Sequence, residues 1–173
     1  MRFFVILDGP MGAGKTTVTK MLRKKLPRTA ILSWDSIKSF VSDFGSSPQD
    51  GTMVAGTQLM LAKSFMANDL NIIIDAGFAR GERMAPFIKL AKQKKYTFLI
   101  YQFTASHRTL LKRALSRPKF EWEKKKITKA NIEKNLYFYY ANKYKGESII
   151  INSDVRTPQN IVREILQDLS SGE

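Results

Sequence analysis

Gly9-Pro10-Met11-Gly12-Ala13-Gly14-Lys15-Thr16 is the stretch on which the reading of this chain turns. It matches G-x-x-x-x-G-K-[ST], the pattern of a phosphate-binding loop, at every fixed position. The apolar run Phe3–Leu7 precedes it and reads as a buried strand, and a helix-like run, Thr17–Leu26, follows. The glycines let the backbone curl so that successive N–H groups point at a phosphate, and the helix behind them adds its positive end. Gly9, Pro10, Met11, Gly12, Ala13, Gly14, Lys15, Thr16 and Thr17 are therefore assigned to nucleotide binding. Lys15 reaches the β- and γ-phosphates, and the Thr16 hydroxyl holds Mg²⁺.

Outward from the loop, strand-length apolar runs alternate with amphipathic stretches. Strands are expected at 3–7, 30–32, 72–74, 98–103 and 148–151. Several are almost wholly apolar, as strands covered on both faces must be. Helices are expected at 15–26, 35–43, 52–68, 81–94, 107–116, 129–143 and 158–169, with 45–51 as a break. Ser106, Thr128 and the pair Thr157-Pro158 supply start signals. Strand–helix alternation predicts an α/β fold, a three-layer sandwich around a central parallel sheet.

The length of 173 residues suits a single domain, 1–173, with a substantial core. No apolar run is long enough to span a bilayer, and the N-terminal stretch lacks the marks of a signal peptide. Cysteine is absent and His107 is the single histidine, so thiolate and His-rich metal sites are excluded. A cytoplasmic protein without membrane partners is the expectation. The formal charge of +14 has two readings: attraction to polyanions such as single-stranded nucleic acid, or a lysine-rich soluble surface.

Three further positions narrow the chemistry. Asp35 follows the second strand, where loops at strand C-termini line the same crevice as the phosphate loop. It reads either as a general base for an attacking hydroxyl or as a helix cap, and Lys38, one turn on, as a contact to an acceptor phosphate. Asp75 ends the run Ile72-Ile73-Ile74 and reads as a Mg²⁺-supporting carboxylate or a strand-terminal turn residue. Arg113 and Arg117 lie one helical turn apart before Pro118. They read as part of a lid spanning 113–126 that closes over the γ-phosphate, or as a solvated basic face. Phe120 and Trp122 could stack on a base or anchor that lid. The run Tyr137-Phe138-Tyr139-Tyr140 reads as core and interface packing.

Taken together, these residues give a chain that resembles small phosphate-loop kinases of the polynucleotide kinase type. That group of P-loop NTPases, of the AAA_33 type, also holds zeta-toxin-like and chloramphenicol-phosphotransferase-like enzymes. The resemblance implies a five-stranded parallel sheet in the order 2-3-1-4-5. It implies an ATP-dependent kinase with Mg²⁺ that phosphorylates a hydroxyl, with Lys15, Asp35 and Arg117 as catalytic residues. Arg113 and the Arg156–Pro158 loop would flank the adenine, and Lys38 and Arg83 would bind the acceptor. The 5′-hydroxyl kinases of nucleic acids look closest, although Lys38 stands where they usually carry Arg. Alternatives are a small-metabolite or antibiotic kinase and, from another class, a nucleotide-gated nucleic-acid-binding module without transfer. A GTPase reading fails because Asn142-Lys143-Tyr144-Lys145 lacks the guanine-selecting Asp.

Overall fold

A computed structural model of the chain describes residues 2–45, 47–78, 80–120, 123 and 126–171. Its strands are β1 (Phe3–Asp8), β2 (Thr29–Ser33), β3 (Asn71–Asp75), β4 (Thr97–Thr104) and β5 (Ile149–Asn152). They form one parallel sheet in the order β2-β3-β1-β4-β5, as the resemblance implied. The helices are α1 (Lys15–Arg23), α2 (Trp34–Lys38), α3 (Pro48–Ala67), α4 (Ala85–Gln93), α5 (His107–Ser116), α6 (Lys129–Asn142) and α7 (Pro158–Ser171).

Alternation along β1 divides the core. Phe3, Val5 and Leu7 face one side and pack with Val18 and Leu22 of α1, Leu110 of α5, Ile132 of α6 and Ile161 and Ile165 of α7. Phe4 and Ile6 face the other side and pack with Ala62 and Met66 of α3 and Phe87 and Leu90 of α4. Successive side chains of a strand point to opposite faces, so a wholly apolar central strand needs a helical layer on each. The result is the expected three-layer sandwich.

The departures have local causes. The break at 45–51 ends early, because Ser47 and Asp50 form a reciprocal capping box and Pro48 opens α3. The helix expected over 35–43 stops at Lys38; Phe40 is 74% exposed, while Val41 and Phe44 reach Ile37 and Val54 from the turns that follow. The expected 81–94 helix begins as a 3₁₀ turn, Gly81–Met84, before α4. The aromatic run in α6 is not core as a block. Tyr139 alone is buried, while Tyr137 is 81% exposed and Phe138 and Tyr140 lie on the surface. Ser106 and Thr128 cap α5 and α6 as expected.

Candidate active site

Parallel register brings the strand ends together. Leu7 pairs with Asp75, and Asp75 with Ser33, so β1, β3 and β2 end side by side. Open α/β sheets bind ligands at this carboxyl edge. The loop Gly9–Gly14 leaves β1 here and enters α1. Gly12 has φ 82°, and a Cβ on it would stand 2.5 Å from the Leu110 carbonyl oxygen. Gly14 is the left-handed N-cap of α1, with φ 93° and open space on its Cβ side. No side chain caps α1, and its first turn holds no acid. Its N-terminal N–H groups and positive dipole end are therefore left for an anion. Lys15 Nζ donates to the carbonyls of Gly9 at 2.7 Å and Pro10 at 3.1 Å, spanning the loop. Thr16 and Thr17 are exposed in the first turn.

Asp75 is a buried carboxylate at the end of β3. Burial pushes its pKa up, against the Lys15 charge and a hydrogen bond from the Thr16 hydroxyl, and the nearby Asp35 charge adds to the rise. A hydroxyl and a buried carboxylate beside a phosphate-binding loop are oxygen donors of the kind Mg²⁺ takes. Among the described residues there is no cluster of three or more acidic or histidine side chains. Thr16 and Asp75 are the residues that would hold such an ion.

Asp35 sits in the first turn of α2, but the capping is done by Ser33, whose Oγ accepts from Ser36 N–H. Asp35 Oδ1 is 3.1 Å from Lys38 Nζ, and Lys38 lies over the Phe44 ring at 5.4 Å. The Asp35 charge is felt by Asp75 on one side and by Arg117 on the other. Lys15, Thr16, Asp75, Asp35, Lys38 and Arg117 thus converge on one edge of the sheet.

The remaining expected residues lie around this group. Arg113 is tied to the β5 end, donating to Ser153 Oγ at 3.0 Å and to the Ser153 carbonyl at 3.1 Å. That places it beside the Arg156–Pro158 loop, although Arg156 itself is spent on Glu164 at 2.8 and 2.9 Å. Pro158 is the first residue of α7. Arg83 turns toward α3: its guanidinium lies 5.9 Å from the Trp34 ring and donates to the Pro48 carbonyl at 3.4 Å. Arg80 and Arg83, with Thr52, Gly56, Leu59 and Phe87, line a cavity of about 400 Å³ between α3 and the 3₁₀ turn. Phe120 packs its ring against Arg117, the anchoring alternative, while Trp122 lies outside the described residues.

Two acids escaped the sequence reading. Asp8, fully buried, accepts from Phe78 N–H and from the Tyr139 hydroxyl, both at 2.8 Å, and so ties the 76–78 segment and α6 to the phosphate loop. Burial pushes its pKa up despite those bonds. Its signal was a lone acid closing an apolar strand just before Gly9. Glu123 pairs with Arg117 and left no signal among the surrounding lysines.

The matching family model, an AAA domain of the type AAA_33, covers residues 4–140. The chain belongs to this AAA domain family. No curated protein sequence matches it. Solved structures share the fold. The tunicamycin resistance protein of Deinococcus radiodurans is 15% identical with TM-score 0.65, covering 98% of this chain and 96% of that one. The Mycobacterium tuberculosis APS kinase CysC in complex with AMPPNP and APS is 16% identical with TM-score 0.68, covering 98% of each chain. A chain of the Pnkp1/Rnl/Hen1 RNA repair complex is 21% identical with TM-score 0.64; the match covers 81% of this chain and 44% of that one. At such identities the likeness is one of fold.

Proposed function

We propose that this protein is an ATP-dependent phosphotransferase acting on a hydroxyl acceptor. The observation that carries the reading is the placement of Asp35. Ser33 relieves it of capping, and it stands in electrostatic reach of both Asp75 and Arg117. A carboxylate so placed takes the proton of the acceptor hydroxyl as that oxygen bonds to the γ-phosphorus and the bond to the β-phosphate oxygen breaks. Lys15 and the loop N–H groups hold the phosphates, and Arg117 offsets charge on the group in transit. Mg²⁺, held by Thr16 and supported by Asp75, would supply further neutralisation of phosphate charge. Arg113 and the Arg156–Pro158 loop would border the adenine through packing and backbone, since Arg156 is engaged with Glu164. Transfer of label from γ-labelled ATP to a panel of hydroxyl compounds tests the reading. ATP-dependent nucleic-acid binding with no labelled product from any of them would favour a nucleotide-gated binding module instead.

The acceptor proposed first is the 5′-hydroxyl of a nucleic acid or nucleotide-like molecule, with Lys38 and Arg83 meeting its phosphates. The net charge of +14 supports an anionic partner. A second reading has its own support: the cavity of about 400 Å³ beside Arg83 has the size of a small-molecule pocket. It would suit a metabolite or antibiotic hydroxyl. Oligonucleotide phosphorylation at two ionic strengths separates them. A polynucleotide acceptor predicts a log–log salt slope of about −0.7 per neutralised phosphate. It also predicts that Lys38→Ala raises the acceptor KM more than that of ATP. No oligonucleotide phosphorylation at either ionic strength, with the kinase activity found on a small hydroxyl compound, points to the small acceptor.

A further inference from the structure

Arg117 follows the last residue of α5, and its guanidinium is gripped by its own segment. Nη1 donates to the Pro118 carbonyl at 3.0 Å and to Glu123 Oε2 at 2.8 Å. Nη2 donates to Glu123 Oε1. Glu123 Oε2 also accepts the Phe120 N–H at 2.8 Å, and the Phe120 ring centre lies 4.5 Å from the guanidinium carbon. The pair is enclosed, with side-chain exposures of 17% for Arg117 and 7% for Glu123. Taking an ion pair out of water is costly, so burial alone gives no stability reason for it.

A count of donors points to a reason in function instead. A guanidinium carries five N–H groups. Both on Nη1 are used, one toward Pro118 and one toward Glu123, and one on Nη2 is used toward Glu123. Glu123 therefore holds the end of the guanidinium, the fork between Nη1 and Nη2. Among the described residues, the Nε–H and the second Nη2–H remain without an acceptor. These two lie parallel on one side of the plane and form a second fork, suited to two oxygens of a phosphoryl group. Nε is buried and has no hydrogen-bond partner among the described residues. A buried donor without an acceptor is unfavourable and calls for one. The Arg117 guanidinium feels the charge of Asp35, and Glu123 feels that of Lys38, so the pair stands within electrostatic reach of both residues.

We propose that Glu123 is a positioning residue for phosphoryl transfer: it grips Arg117 end-on, so that the side-on fork of Arg117 meets the transferring phosphoryl group while the ion pair stays intact. The proposal rests on the reading of Arg117 as the lid arginine. It differs from a latch, in which Glu123 would occupy Arg117 and have to be displaced.

The test avoids the unidentified acceptor. Affinity for MgADP with aluminium fluoride, a mimic of the transferring phosphoryl group, is compared with affinity for MgADP alone by calorimetry. Active sites are counted by MgADP binding, so that any unfolded fraction is removed from the comparison. Arg117→Ala is expected to lose the preference for the mimic. Glu123→Gln is expected to lose about tenfold of it, the worth of one charge-assisted hydrogen bond, with MgADP affinity unchanged. Glu123→Gln added to Arg117→Ala is expected to cost nothing more, because the two act as a unit. An unchanged preference in Glu123→Gln overturns the proposal. So does an increased one, the mark of a latch, or a loss of equal size in both backgrounds. A normal preference in Arg117→Ala removes the role of Arg117 itself, and this proposal with it.

Discussion

At the scale of single residues, neighbouring carboxylates differ in what their surroundings ask of them. Asp8 is fully buried and held by two donors, yet burial outweighs them and keeps its pKa above the ordinary range. A carboxyl with a raised folded-state pKa favours the native state most when protonated. Its contribution is full below the unfolded pKa and is lost as pH rises through the folded one. Asp8→Asn, which keeps the shape, should therefore melt higher than wild type at neutral pH, with the gap closing as pH falls into the carboxylate range. Thermal melts across pH check this, and a constant gap would contradict it. Lys15 and Thr16 could be proposed from the sequence because a phosphate-loop pattern is built from consecutive residues, whose spacing is the signal. Asp8 and Glu123 were not. Their partners Tyr139 and Arg117 are fixed by the fold and by a turn after Pro118, and neither leaves a period in the sequence.

At the scale of elements, α3 packs in the core and lines the cavity beside Arg83. The Ser47–Asp50 capping box starts it a turn earlier than hydrophobic periodicity indicated, because the break Gly45–Gly51 contained the cap as well as the loop. That extra turn carries Pro48 and Gly51 to Arg83. A Cβ on Gly51 would lie 2.7 Å from Arg83 Nη1, so the missing side chain makes room for the guanidinium. Gly51→Ala should stabilise the helix by up to about 1 kcal/mol, the propensity difference between the two residues, while displacing the flexible end of Arg83. The expected result is a raised Tm together with a raised acceptor KM and an unchanged KM for ATP. A lower Tm would show that Arg83 cannot give way to the added methyl, and a raised Tm with no effect on the acceptor would detach Arg83 from acceptor binding. The 3₁₀ start before α4 and the early end of α2 lay beyond sequence reading, since helix boundaries there follow from tertiary packing.

At the scale of the molecule, sheet order places the candidate site. The order β2-β3-β1-β4-β5 sets the ends of β1, β3 and β2 side by side, which brings Asp35, Asp75 and the phosphate loop to one edge. Two apolar clusters hold that edge in place from either face. This much was legible, because buried parallel strands announce themselves as apolar runs and the resemblance supplied their order. The charge of +14 was legible as a number but not as a map, for several acids are used internally: Glu123 on Arg117, Glu164 on Arg156, Asp168 on the Tyr101 hydroxyl. Among the described residues, no helix is long and apolar enough to cross a membrane. The central claim is that this edge transfers a phosphoryl group with Asp35 as its base, and Asp35→Asn tests it most directly. With a hydroxyl acceptor found by label transfer, ATP affinity and Tm should stay near wild type while kcat falls by roughly 10²–10⁴, the usual worth of a positioned general base. Normal turnover combined with a lowered Tm would contradict the account and leave Asp35 a residue of the α2 helix start.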